Sequence, residues 1–160
     1  MSESPHITIQ LRSEPIYLAG VRDLFSAIAH RLGFTELERS HIALAVDEAL
    51  CNIIKHGYEK RTDGPIWVSL WPIGSNGNFN GIRIVIEDEA RQVDPGRIKG
   101  RDLADIRPGG LGVHIIREVM DEATYERRDG AGMRLTMVKI KGSGKGAAVG
   151  SPCAAPQGNK

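Results

Sequence analysis

The chain predicts an α+β fold, a two-layer sandwich in which one mostly antiparallel sheet is covered on one face by helices. Three observations predict it. Short segments with a two-residue hydrophobic rhythm come in pairs joined by turn-like stretches, as hairpins do. Segments of helical rhythm are grouped between the first strand and the first hairpin, rather than alternating with every strand as in a parallel sheet. Finally, 160 residues of which 41% are hydrophobic suffice for a two-layer core in one domain. No internal repeat is present.

The elements follow in order. Ile7, Ile9 and Leu11 alternate with Thr8, Gln10 and Arg12, which predicts a half-buried strand. After Pro15, the residues Val21, Leu24, Phe25, Ile28 and Leu32 share one helical face. Thr35 and Glu38 have the form of a capping box, in which hydroxyl and carboxylate each satisfy a free backbone N–H. The second helix is expected to run from there to Gly57, a suitable left-handed stop. Two strands, Ile66 to Ile73 and Ile82 to Glu87, are joined by "GSNGNFNG", a hairpin turn in composition. From Ala90 to Gly110 the periodicity is lost, and a loop of that length in a compact domain usually serves function. A short helix, Leu111 to Met120, carries Val113, Ile116 and Met120 on one side. Two last strands, Ala123 to Arg128 and Met133 to Lys141, flank the tight "DGAG". Residues 6–141 thus form the expected domain. Residues 142–160, rich in Gly, Ala and Pro, are expected to be a disordered tail.

Composition narrows the function classes. A net charge of +1, from 21 basic and 20 acidic residues, creates no large field for nucleic acid or anionic lipid. No apolar run is long enough for a membrane span, and the N-terminus lacks the pattern of a secretory signal, so the cytoplasm is the expected compartment. Cys51 and Cys153 have neither disulfide-like placement nor zinc-type spacing.

Chemistry concentrates in two places. In "VDEALCNIIKHGY", Glu48, Asn52 and His56 recur at four-residue steps along an otherwise apolar helix. At about 100° per residue the buried residues fill an arc from about 60° to about 200° from Glu48, with Asn52 at about 40° and His56 at about 80°. The polar trio therefore runs into the margin of the buried face, where a pocket mouth would lie. Farther on, "IVIEDEA" ends an apolar strand at Asp88, and "RPGGLGVHII" places glycines at a helix entry, where backbone N–H groups and the helix dipole suit phosphate. "KGSGKGAAV" lacks the spacing of a P-loop, and no dinucleotide-type glycine motif occurs.

In this order the segments resemble the GHKL, or histidine-kinase-like, ATPase superfamily, and within it the small anti-sigma factor serine-protein kinases of the RsbW-like group. "DEALCNIIKHGY" resembles the N box, "EDEARQVDP" the box that begins the adenine pocket, and "IRPGGLGVHIIREVMDEATYE" the glycine-rich box. "GMRLTMVKI" resembles the last core strand, so the likeness extends from about His6 to about Lys141.

The resemblance implies ATP and Mg2+ as cofactors. It implies that Asn52 offers its side-chain oxygen to Mg2+ and that Glu48 is the general base accepting the proton of an attacking serine. Asp88 would accept a hydrogen bond from the adenine amino group, helped by Thr136 on the neighbouring strand. Gly109, Gly110 and Gly112, with the N–H groups around Leu111, would hold the phosphates. Arg107 either neutralises the terminal phosphate or is a solvated loop arginine. His56 either supports the site or caps the helix end. Where the family usually has glycine two positions after its aspartate, this chain has Ala90; if a positive φ is needed there alanine costs free energy, and if only room is needed a methyl group is tolerated.

The function so implied is an ATP-dependent serine-protein kinase that binds a sigma factor and phosphorylates an anti-sigma factor antagonist, a STAS-type protein. The loop from Ala90 to Gly110 would then be a lid. A homodimer is expected, through an edge strand or the first helix with Arg22 and Phe25, and neither nucleic acid nor membrane is an expected partner. The alternative is a binding module of the same fold without phosphotransfer, for which Ala90 is the best argument. A detached histidine-kinase domain would need a phosphoacceptor bundle, and the residues before His6 are too few to supply one.

Overall fold

The computed structural model of the chain describes residues 3–98 and 111–146. Five strands, β1 (Ile7–Arg12), β2 (Pro65–Ser75), β3 (Asn78–Asp88), β4 (Glu122–Arg127) and β5 (Met133–Ile140), form one sheet in the order β1-β2-β3-β5-β4, and every neighbouring pair is antiparallel. Three helices, α1 (Leu18–Arg31), α2 (Glu36–Asn52) and α3 (Leu111–Val119), cover one face. This is the two-layer α+β sandwich expected from the sequence.

Alternation decides which face of the sheet is dry. Ile66, Val68 and Leu70 of β2, Ile82, Ile84 and Ile86 of β3, and Leu135 and Met137 of β5 are buried against Phe25, Ile42, Val46 and Leu50 of the helices. Their in-between neighbours form the outer face, where Arg83 stacks on Trp71 at 4.5 Å and Arg128 on Trp67 at 5.1 Å. The Arg128 guanidinium also donates to the Asp88 carbonyl at 2.6 Å and pairs with Glu87 at 3.4 Å, so it ties the outer face to the end of β3.

Local expectations are met where the chemistry is local. The Thr35 hydroxyl accepts from the Glu38 N–H at 3.2 Å, and the Glu38 carboxylate accepts from the Thr35 N–H at 2.9 Å, so the capping box is formed. Thr35→Ala is expected to cost about 1 kcal/mol, read as a lower urea midpoint at unchanged slope.

Three expectations are corrected. The hairpin turn is only Asn76-Gly77, both at positive φ, because strands β2 and β3 run into most of "GSNGNFNG" with a bulge at Gly74. Leu24 is 42% exposed; Val21, Phe25 and Ala29 form the buried stripe of α1. Gly57 is not at positive φ; the left-handed residues are Glu59 and Lys60, because the helical run continues past Asn52 as a π-turn, Ile53–Gly57.

After β5 the described chain turns back over the helices. The Gly142 N–H donates to Glu38 at 2.6 Å, and buried Lys139 donates to the carbonyls of Val119, at 2.6 Å, and Lys145, at 2.9 Å. Residues 147–160 of the expected tail lie outside the described residues. No helix among the described residues is long and apolar enough to cross a membrane.

Candidate active site

The last two turns of α2 and the first turn of α3 meet at Gly112. A Cβ placed on Gly112 would stand 2.7 Å from Glu48 Oε2, 3.2 Å from Asn52 Nδ2 and 3.3 Å from Asn52 Oδ1. Only glycine lets α3 begin so close to those side chains, so a carboxylate and an amide one turn apart both face a helix N-terminus. Neither Glu48 nor Asn52 makes a side-chain hydrogen bond among the described residues. Burial, reinforced by Asp47 and opposed by Lys55, holds the Glu48 carboxyl above its usual range.

Beside this cluster lies a cavity of about 330 Å3, bounded by Ala49, Asn52, Ile53, His56 and Gly57 of the helix end and by Ile86, Asp88, Met133 and Leu135 of the sheet. Its size is at the lower end for small-molecule sites, and its mostly apolar wall with a few polar groups is their usual chemistry. Asp88 is 4% exposed. Its Oδ1 accepts from the N–H groups of Ala90 at 2.8 Å and Met133 at 3.2 Å, while Oδ2 has no partner among the described residues. The two N–H groups orient one oxygen and leave the other to accept a donor from a ligand. Burial raises the Asp88 carboxyl, against the lowering effects of these hydrogen bonds and of Arg128. Gly132, at positive φ and pressed onto the Asp88 carbonyl, lets β5 start close enough to supply the Met133 N–H.

His56 borders the cavity from the π-turn, where the Tyr58 N–H reaches back five residues to the Ile53 carbonyl at 2.8 Å. That widened turn departs from a regular 3.6-residue helix, and π-turns recur at functional sites. Ala90 is buried and is not among the described residues with positive φ. Its methyl therefore imposes no backbone strain, and the binding-only reading loses the argument that rested on it.

Thr136 is a correction. It pairs with Val85 and Thr124 on the outer face of the sheet, because side chains alternate and its neighbours Leu135 and Met137 point inward. Met133 and Leu135 line the cavity in its place. Leu111 opens α3 and is 45% exposed; Arg107, Gly109 and Gly110 lie outside the described residues.

The cavity also has walls to which the sequence reading gave no role. Tyr125 of β4 faces it, its hydroxyl pushed up to about 12 by burial, and Arg91 and Arg97 border it from the segment after Asp88. Tyr125 was legible only as an inward position of an alternating strand. The Met133 contribution is a backbone N–H and has no side-chain signature.

A helix-covered antiparallel sheet, with polar side chains facing a glycine-started helix and a buried aspartate at one end of an apolar cavity, defines a nucleotide-binding domain of the histidine-kinase-like type. The sequence profile of the histidine kinase-like ATPase domain matches residues 11–139, and the chain belongs to this family. It is 30% identical over 134 residues to the serine-protein kinase RsbW of Listeria monocytogenes serotype 4a, covering 81% of this chain and 85% of that one. With RsbW of Bacillus subtilis the identity is 25% over 145 residues, covering 84% and 86%. Among solved structures, the RsbU and RsbW domains of a Mycobacterium tuberculosis protein share the fold with a TM-score of 0.58 at 18% identity. That match covers 84% of this chain and 31% of the solved one.

Proposed function

We propose that the chain is an ATP- and Mg2+-dependent serine-protein kinase and anti-sigma factor, which binds a sigma factor and phosphorylates a serine of a STAS-type anti-sigma factor antagonist. The observation that carries this reading is the convergence of Glu48 and Asn52 on the first turn of α3, next to a cavity that ends at Asp88, whose Oδ2 has no partner among the described residues. The likeness to proteins named serine-protein kinase RsbW supports the reaction type.

Each residue has a task that its position allows. Asp88 Oδ2 accepts from the adenine amino group, and guanine, with a carbonyl there, offers no such donor. The start of α3 supplies N–H groups and its positive dipole end to phosphate. The Asn52 oxygen is a hard, neutral donor that fits Mg2+, an ion that takes few protein oxygens and shares itself with phosphates. When bound, that ion disperses charge on the transferring phosphoryl group. Glu48 accepts the proton of the attacking serine hydroxyl, and its raised pKa makes it a stronger base than an ordinary carboxylate.

The partners and the compartment belong to the same proposal. Ile16, Tyr17 and Leu24, exposed next to the open edge of β1, are the apolar surface that a second copy in a homodimer or a protein partner would cover. The setting proposed is cytoplasmic, without nucleic acid or membrane.

Incubation with labelled ATP, Mg2+ and the antagonist tests the reading, which expects label on serine. Release of the antagonist from the chain as label accumulates tests the exchange of partners. The pH profile adds a second check. Glu48 must be unprotonated to act and its pKa is raised by burial, so the fall in rate as pH is lowered is expected to begin at a higher pH than for an ordinary glutamate. An acid limb that is unchanged in Glu48→Gln assigns the base elsewhere.

A further inference from the structure

Gly57 and Ala90 touch across the seam between the two halves of the site. A Cβ on Gly57 would lie 2.9 Å from the Ala90 Cβ, with Ile53 Cγ2 next at 3.9 Å. Carbon atoms in ordinary contact are about 3.5–4.0 Å apart, so the seam holds one methyl group and no second. Gly57 does not use a left-handed conformation. Its lack of a side chain is therefore explained by this contact and not by backbone geometry.

The seam joins elements with different tasks. Gly57 closes the π-turn that follows Asn52 and carries His56, whereas Ala90 closes the turn whose first residue is Asp88. A second tie runs alongside, since the Tyr58 hydroxyl accepts from the Glu89 N–H at 2.7 Å and donates to the Pro65 carbonyl at 2.6 Å. The Ala90 N–H is one of the two donors that orient the Asp88 carboxylate. An alanine methyl has no rotamer with which to evade a clash, so a second methyl at the seam must change the distance between the Asp88–Ala90 turn and the π-turn.

Resting on the ATP-binding reading above, we infer that Gly57 and Ala90 are a positioning pair, in which a single methyl sets the distance between the base-recognising aspartate and the helix end that carries the phosphate-side residues. Glu48 and Asn52 precede the π-turn and meet Gly112, so the pair acts on nucleotide binding more than on phosphoryl transfer. In this chain the methyl stands at position 90, and Gly57 is the matching space.

A cycle of Gly57→Ala, Ala90→Gly and the double variant tests this, with KM for ATP, kcat and melting temperature measured for each. Gly57→Ala is expected to raise KM about tenfold at nearly constant kcat, a displacement of a few tenths of an ångström being short of the 1 Å that costs about 10²-fold. The double variant, which moves the methyl across the seam, is expected to bring KM back to within about threefold of wild type and to regain melting temperature. Should Gly57→Ala fail to fold, the double variant is still expected to fold and bind ATP. Wild-type KM in Gly57→Ala, an equal fall in kcat, or a double variant no better than Gly57→Ala overturns the pairing. Absence of ATP binding by the wild-type chain overturns the nucleotide reading itself, and the pairing with it.

Discussion

Glu48→Gln is expected to lower phosphoryl transfer to serine by about 10²- to 10⁴-fold, the usual contribution of a positioned general base. The affinity for ATP should stay within about threefold of wild type, since glutamine keeps the shape and removes only proton-accepting capacity. The contrast with a merely structural role is sharp. Glu48 makes no side-chain hydrogen bond among the described residues, so its replacement breaks none of theirs. Burial of the carboxylate is unfavourable to the charged form, and the neutral amide should leave the melting temperature equal or higher. Single-turnover labelling together with calorimetric titration of ATP separates the two quantities. Full labelling by the glutamine variant removes Glu48 from the reaction.

Gly112→Ala is expected to be nearly as damaging by a different route. The added Cβ meets Glu48 Oε2 at 2.7 Å and the Asn52 amide at 3.2 and 3.3 Å. Either these side chains swing away or α3 retreats, and both outcomes spoil the meeting of base, metal-side oxygen and helix N-terminus. A misplacement of about 1 Å costs about 10²-fold in rate, so kcat/KM should fall by at least about that factor. Helix propensity acts in the opposite sense, because alanine in place of glycine favours a helix by about 1 kcal/mol. A variant that melts no lower than wild type yet has lost activity is thus the expected pair of results. Wild-type activity in Gly112→Ala would mean that α3 does not begin against Glu48 and Asn52.

Both predictions rest on features that were unequally visible in the sequence. Glu48 and Asn52 were legible because a helix repeats every 3.6 residues, so two polar residues four apart on the margin of an apolar face must share a direction. The capping box of Thr35 and Glu38 was legible for the same reason, being complete within four residues. Asp88 was visible as the end of an apolar strand, and the structure places it in the inward series Ile82, Ile84, Ile86.

Thr136 shows where that legibility stops. The alternation of β5 is plain, but which parity faces the helices depends on where the strand enters the sheet, and a shift of one residue exchanges the two faces. Pairing with β3 sets that parity, putting Leu135 beside Ile86 and Thr136 beside Val85. Gly57 shows a second limit. A glycine at a helix end reads as a left-handed stop, yet its cause here is Ala90, thirty-three positions later along the chain.

What the sequence by itself determined is therefore what is local to the chain: by period, the five strands, the three helices and the facing of Glu48 and Asn52, and by short motifs, the helix cap and the resemblance to an ATPase family. Only the tertiary structure decided which face of β5 lines the cavity, that the Met133 N–H and Gly132 serve Asp88, that Tyr125, Arg91 and Arg97 complete the walls, and why positions 57 and 90 share one methyl. These depend on contacts between residues far apart in the chain, and packing, unlike periodicity, leaves no repeating mark along it.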